Sequence, residues 1–389
     1  MKPSTTVTTV VAVVAGVALA GCGPRTGPTS GPGGSDAGAA TGAATSAASP
    51  DAAPPRPSPS PDVPSATASP TPTRSPSATP PPAGADDVDR PSDAELAALG
   101  VNELGRVLVA QWHVIGDTDG EYRTSRGTLR AQLAELYDRG YRPVTQAEFL
   151  AGTFPIPAGT SPVVLTFDDS TRGHLALDDD GEPTADSAVG IIEAFAAEHP
   201  DWRATAVLAF NFPDPFGDGN HAPRLEWLVD NGYELSNHSV GHVDLSTLSR
   251  PQVVANLAEN QARLHEVVPD APVLSLTLPL GRWPDDRAAA ISGTAEGTAY
   301  EHRLVYLVGS DPTRSPHHVE FDPAAIQRVP AHAVVGTGPE WFGDWLDRLE
   351  DDDLRFVSDG RADLVTHPSD LASIADVDPA RTTRTYGTP

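Results

Sequence analysis

Val163-Val164-Leu165-Thr166-Phe167-Asp168-Asp169-Ser170 is the stretch on which the fold turns. Residues 163–167 make a continuous apolar run rich in β-branched side chains. That is the pattern of a strand covered on both faces inside a parallel sheet. Two adjacent carboxylates end it. Further on, Asn237-His238-Ser239-Val240-Gly241-His242 follows a short strand expected at 233–236.

Outward from this strand the chain alternates. Ser92-Asp93-Ala94-Glu95 is a capping box opening a short helix to about residue 104, and 106–112 (RVLVAQW) reads as a strand. Ser125 caps a helix that puts Leu129, Leu133 and Leu136 on one face and stops at Gly140. Thr145-Gln146-Ala147-Glu148 is a second capping box. Then come a helix at 186–198, a strand at 204–210, a helix at 224–230 and, from Ser249 and Pro251, a long helix to about 267. A strand at 273–278 follows, with weaker strands near 303–308, 327–329 and 354–357 and a helix at 339–349. No internal repeat is visible. This order predicts an α/β sheet or an α/β barrel. In either, ligands gather at the carboxyl ends of the strands. Asp168, Asp169, His238, His242 and Pro279 all fall just after expected strands.

Neighbouring carboxylates repel, so one is best used on a cation while the other accepts protons. Neutral imidazole is a common zinc ligand, and His238 and His242 converge if the segment turns tightly, as Ser239 and Gly241 favour. Taken alone, an Asp-Asp pair reads more readily as a strand end capping the next turn, and two such histidines as residues of a surface loop.

The series Thr-Phe-Asp-Asp, Asn-His-Ser-x-x-His and Leu278-Pro279-Leu280-Gly281 resembles, in order and spacing, the polysaccharide deacetylases, the NodB-homology or carbohydrate esterase family four. The resemblance covers roughly residues 106–360. It implies a distorted (β/α) barrel and removal of acetyl groups from N-acetylated or O-acetylated sugars. It implies Asp168 as general base and Asp169, His238 and His242 as ligands of a divalent metal, zinc first, cobalt or nickel next. It also implies the Leu280 N–H as an oxyanion donor, a main-chain group that survives side-chain change.

The departures are specific. Ser170 stands where the family has Gly, Leu280 where it has Tyr, and Thr277 where an Arg orients the base. The late Leu-His motif that gives the general acid has no clean copy, and His367 and His332 are candidates. One branch, which includes poly-N-acetylglucosamine deacetylases, looks circularly permuted, with its acid-bearing strand first. Leu108-Val109-Ala110-Gln111-Trp112-His113, followed by Tyr141-Arg142-Pro143-Val144-Thr145, resembles that branch. It makes His113 the preferred general acid, with Trp112 in place of the branch's Tyr. Trp202, Trp227, Trp283, Trp341 and Trp345 are possible sugar platforms, Trp283 the best placed. The acidic loops at 178–181 and 214–220 lack calcium-loop spacing and are expected to be solvated.

The chain has 389 residues and one cysteine, Cys22. Residues 1–21 have the charged start and apolar run of a secretory signal. Leu19-Ala20-Gly21-Cys22 resembles the bacterial lipobox, which implies lipidation at Cys22 and anchoring to the outer face of the cell membrane. Residues 22–91 are Ala, Gly, Pro, Ser and Thr with almost no large apolar side chain, and are expected to form a disordered tether. As a flexible coil it would span roughly 45 Å. The domain is expected at 92–370 and a tail at 371–389. The net charge of −27 and the absence of a basic patch argue against nucleic-acid partners and anionic lipid headgroups. The expected partners are a glycan and, through Cys22 alone, a membrane; the sequence carries no signal of oligomeric state. The reading is a metal-dependent deacetylase of cell-surface polysaccharide or peptidoglycan. Its alternative is a weakly active or inactive glycan-binding lipoprotein on the same scaffold, motivated by the missing motif Arg and Tyr.

Overall fold

The computed structural model describes residues 91–332 and 341–387. The expected signal at 1–21, Cys22 and the tether up to residue 90 lie outside the described residues, as do 333–340, where the 339–349 helix was expected to begin.

Seven parallel strands form the frame: β1 Arg106–Trp112, β2 Ser161–Phe167, β3 Val207–Phe212, β4 Glu234–Val240, β5 Val273–Thr277, β6 Leu304–Tyr306 and β7 Val329–Pro330. The sheet runs β6-β5-β4-β3-β2-β1, with β7 on the far side of β1. It closes on itself. Ile326, just before β7, bridges Tyr306 in parallel, its N–H donating to the Val305 carbonyl at 2.9 Å. Val329 and Pro330 then pair with Ala110 and Gln111. The result is the expected distorted α/β barrel, built from these seven of the described strands.

Eight α-helices accompany these strands among the described residues. α1 Asp93–Leu99, α2 Arg126–Asp138, α3 Gln146–Ala151, α4 Ala188–Glu198, α5 Ala222–Asp230, α6 Arg250–Val267, α7 Arg287–Ile291 and α8 Trp341–Asp351 follow in order. Both expected capping boxes form, at Ser92 with Glu95 and at Thr145 with Glu148. Among the described residues no helix is long and apolar enough to cross a membrane.

Period-two alternation sorts the strand side chains. Leu108, Ala110 and Trp112 of β1 and Val163, Leu165 and Phe167 of β2 pack with α2 and α4 in the larger apolar cluster. The other face, Val107, Val109 and Val164, joins Val207, Tyr306 and Ile326 inside the barrel. Continuing that inner face brings Gln111 and Thr166, and next Asp168, to the carboxyl end.

Three expectations change. Residues 354–357 form single bridges rather than a strand, because Arg355 and Val357 each meet only one residue, Arg106 and Asn102. β4 runs on through Val240, so His238 lies within a strand and not after it. Residues 371–387 do not trail off, since Thr382–Tyr386 pairs with Leu364–Pro368 and Tyr386 is buried against Leu96 and Val101.

Candidate active site

A cavity of about 730 Å³ opens at the carboxyl ends of the strands. Its lining includes Gln111, His113, Asp168, Asp169, His238, His242, Leu280 and His332. The residues singled out in the sequence from β1, β2 and β4 and from the turn after β5 thus meet in one place. His367 does not reach it. That ring is buried in the peripheral pair 364–368/382–386, where Nδ1 is bonded with the Pro368 carbonyl.

Asp168 is 2 % exposed and held on two sides. Arg328 Nη1 donates to Oδ1 at 2.6 Å and Nη2 to Oδ2 at 2.8 Å, while Gln111 Nε2 donates to Oδ2 at 2.8 Å. Arg328 is itself fully buried, its Nε donating to the Leu307 carbonyl at 2.8 Å. Burial alone would raise the Asp168 carboxyl, but the Arg328 guanidinium, aided by His113, holds it far below the usual carboxylate range. The expected loss of the base-orienting Arg is therefore corrected. Thr277 lacks the guanidinium, and Arg328, just ahead of β7, brings it from another strand. Gly309 makes room for this, because a Cβ there would stand 2.4 Å from the Arg328 main-chain nitrogen.

Thr277 has a different task. Its carbonyl accepts from His238 Nδ1 at 2.7 Å, and its hydroxyl pairs with Ser236 Oγ at 2.9 Å. The first contact fixes the tautomer, leaving the His238 Nε2 lone pair facing Asp169. His238 Nε2 and His242 Nε2 lie 3.3 and 3.4 Å from Asp169 Oδ1. One ligand atom from each of the three residues lies within 4.8 Å of the others. Donors about 2.0–2.1 Å from a tetrahedral ion stand roughly 3.3 Å apart, so this donor set fits a small divalent cation. Burial opposes both charges, yet contact with His238 keeps the Asp169 carboxyl low and contact with Asp169 keeps the His238 imidazole high.

The backbone is bent to make this convergence. Opposite Phe210 and Phe212 of β3 stand Asn237 and Val240 of β4, an irregularity that places His238 and Ser239 in a bulge. Asn260 of α6 donates to the Phe210 and Ser239 carbonyls, both at 2.8 Å, and so pins it. Of nine non-glycine residues with positive φ among the described residues, six lie in or beside the cavity: Tyr122, Asp169, Ser170, Ser239, His242 and Leu280. Strain concentrated in this way marks a functional site. Ser170, at φ 41°, occupies a glycine-like conformation and is held by its hydroxyl on Asn211 Oδ1 at 2.9 Å.

His113 Nε2 lies 3.7 Å from Asp168 Oδ2, and burial lowers its pKa against the pull of Asp168. Trp112 points the other way, stacked on Phe167 with its indole N–H on Gln132. No tryptophan lines the cavity among the described residues. Trp283 instead packs beside α7 under Arg287. The aromatic side chain at the mouth is Tyr122, 45 % exposed, which drew no attention in the sequence because it lies in a polar loop. In the first acidic loop Asp178 accepts from the Asp180 and Glu182 N–H groups, and in the second Asp218 accepts from both Arg224 Nη atoms.

Residues 156–294 match the profile of a family described as polysaccharide deacetylase. A chitooligosaccharide deacetylase from Sinorhizobium fredii is 26 % identical over 131 residues, covering 33 % of this chain and 51 % of the relative. The chain thus spans about half the length of this relative. A polysaccharide deacetylase from Bacillus cereus superposes with a TM-score of 0.46 at 16 % identity, covering 62 % of this chain and 69 % of that one. A Streptococcus pyogenes deacetylase in complex with acetate gives 0.45 at 15 %, covering 62 % and 98 %.

Proposed function

We propose that this chain, which carries a polysaccharide deacetylase segment at residues 156–294, hydrolyses acetyl groups from N-acetylated or O-acetylated sugars of cell-surface polysaccharide or peptidoglycan. One observation carries the reading. A buried carboxylate clamped by Arg328, three donors spaced to hold a cation and the part-buried His113 imidazole share one open cavity.

Asp169, His238 and His242 would hold the cation, zinc in preference to cobalt or nickel. When bound, it would polarise the acetyl oxygen and acidify an attacking water. Asp168 takes the proton of that water. The Arg328 clamp and Gln111 engage both its oxygens but leave lone pairs toward the cavity, since a carboxylate offers about four acceptor sites. Arg328 also holds Asp168 in its ionised form, the form that can accept a proton. The Leu280 N–H, in the tight Pro279–Gly281 turn on the cavity wall, donates to the acetyl oxygen as charge develops there. His113 Nε2 gives a proton to the departing nitrogen or oxygen as the bond to the acetyl carbon breaks, and acetate leaves. An amine needs this proton more than an alcohol does, which favours the amide. Replacing His238 with Ala should abolish both metal binding and turnover. Unchanged turnover in that variant would overturn the scheme.

The alternative of a weakly active or inactive glycan-binding scaffold drew on the missing motif Arg and Tyr; the Arg328 contact with Asp168 argues against the first ground, while Leu280 still stands where the family has Tyr. We also propose that Cys22 is acylated and holds the domain on the outer face of the cell membrane, which the Leu19-Ala20-Gly21-Cys22 motif supports. A Cys22→Ser variant should then leave the membrane fraction, and retention there would refute the anchor.

A further inference from the structure

We propose that His332 is a substrate-recognising residue whose ring hydrogen-bonds a sugar hydroxyl next to the acetyl group. This rests on the deacetylase reading and adds to it a determinant of which sugar enters.

His332 is 3 % exposed and lines the cavity. Among the described residues neither of its ring nitrogens has a hydrogen-bond partner. The Gln111 main chain lies near enough to affect its protonation but does not meet it in hydrogen-bonding geometry. The ring is not adrift. The preceding residue is pinned on both sides, Ala331 N–H donating to the Gln111 carbonyl at 2.9 Å and Gln132 Nε2 to the Ala331 carbonyl at 2.7 Å. His113 stands edge-on to the imidazole at 4.7 Å, and Tyr122 leans over both, 5.2 Å from His113 and 5.4 Å from His332. A rigid buried imidazole with no partner is costly. Because this one faces the cavity that holds Asp168, the missing partner belongs to what enters there.

The chemistry of the ring narrows that partner. A neutral imidazole offers one donor and one acceptor. A carboxylate would use only the donor and an amide N–H only the acceptor, whereas vicinal sugar hydroxyls use both. Burial, with His113 adding to it, pushes the His332 imidazole down to about 3, so it stays neutral and keeps both characters. Tyr122 at the mouth adds an aromatic face for the C–H side of a sugar ring.

The test uses the full-length, metal-loaded protein with N-acetylchitotetraose and 4-nitrophenyl acetate. His332→Phe keeps the ring packing and removes both nitrogens. Calorimetry should show the tetrasaccharide bound about tenfold more weakly, the scale of one hydrogen bond with a buried partner. KM should rise by the same factor while kcat stays within about threefold. His332→Gln, which keeps a donor and an acceptor, should recover part of the loss. Hydrolysis of 4-nitrophenyl acetate, which has no sugar hydroxyls, should be unaffected. Equal tetrasaccharide binding by wild type and His332→Phe would overturn the inference, as would a matching fall in kcat on both substrates. A wild-type protein that neither binds the tetrasaccharide nor releases acetate from it would remove the deacetylase reading and this inference together.

Discussion

Arg328 and Asp168 stand 160 residues apart in sequence and meet through two parallel N–H···O contacts of 2.6 and 2.8 Å, both side chains buried. The contact joins the seventh strand to the second across the inside of the barrel. It ties the closure of the fold to the ionisation of the proposed base.

Removing one partner of such a pair strands the other charge. Arg328→Gln should destabilise the protein by about 3–5 kcal/mol. It should also raise the Asp168 pKa, moving the acid limb of the pH–activity profile to higher pH. Arg328→Lys keeps the charge without the paired contacts and should fall between. The sign follows from the depressed native pKa of Asp168. The stabilisation is present above the unfolded carboxyl value and is lost as pH falls through the folded one. Thermal unfolding and a pH–rate profile of the two variants check this, and an unmoved acid limb in Arg328→Gln would contradict it.

Thr277→Arg should not restore anything. The Thr277 side chain is buried on Ser236, and its carbonyl orients His238. A second guanidinium there would be buried without a free carboxylate. The expected outcome is a lower melting temperature and reduced acetate release, measured beside wild type.

The donor set should bind metal and gain stability from it. Adding zinc to chelator-treated protein should raise the melting temperature, because a ligand of the folded state alone stabilises by mass action. His242→Ala should lose that response. The loss in zinc affinity should exceed the roughly 10–100-fold typical of outer-shell changes. Zinc titration by calorimetry is the check.

Stability should peak near pH 6.5. Burial lowers His174, His302 and His317 to about 4, so below the unfolded histidine value near 6.5 the unfolded chain takes up more protons and stability falls. Burial raises Glu103 to about 8, with Asp359 adding to it, and raises Glu234 to about 7. For these two the folded state holds the extra protons, so stability falls as pH rises from the unfolded carboxyl value through the folded one. Below pH 6.5 these three histidines, with His332 held lower still, outweigh the two carboxyls; above it the carboxyls act together with His238, whose imidazole is held high by Asp169. Melting temperature against pH in metal-free protein should show this maximum, and Glu103→Gln should flatten the alkaline side.

The legible parts of this chain are those with local signals. The apolar run before Asp168 gave a true central strand, the capping boxes at Ser92 and Thr145 opened helices where expected, and both motif pairs reached one cavity. Arg328 was not legible because nothing local distinguishes a surface Arg from a buried one. Its role depends on β7, two residues long and placed by barrel closure. His332 follows from the same closure, although it was visible as a candidate acid. The reach of β4 past His238 was missed because Ser239 and Gly241 read as a turn, when a bulge pinned from α6 accommodates them.

The most direct test of the central claim is acetate release from N-acetylchitooligosaccharides and from peptidoglycan, with zinc or cobalt, with chelator, and with Asp168→Asn alongside. The account predicts release that chelator abolishes, that added metal restores, and that Asp168→Asn lacks even when metal is bound. Release that persists in chelator, or at the wild-type rate in Asp168→Asn, would contradict it.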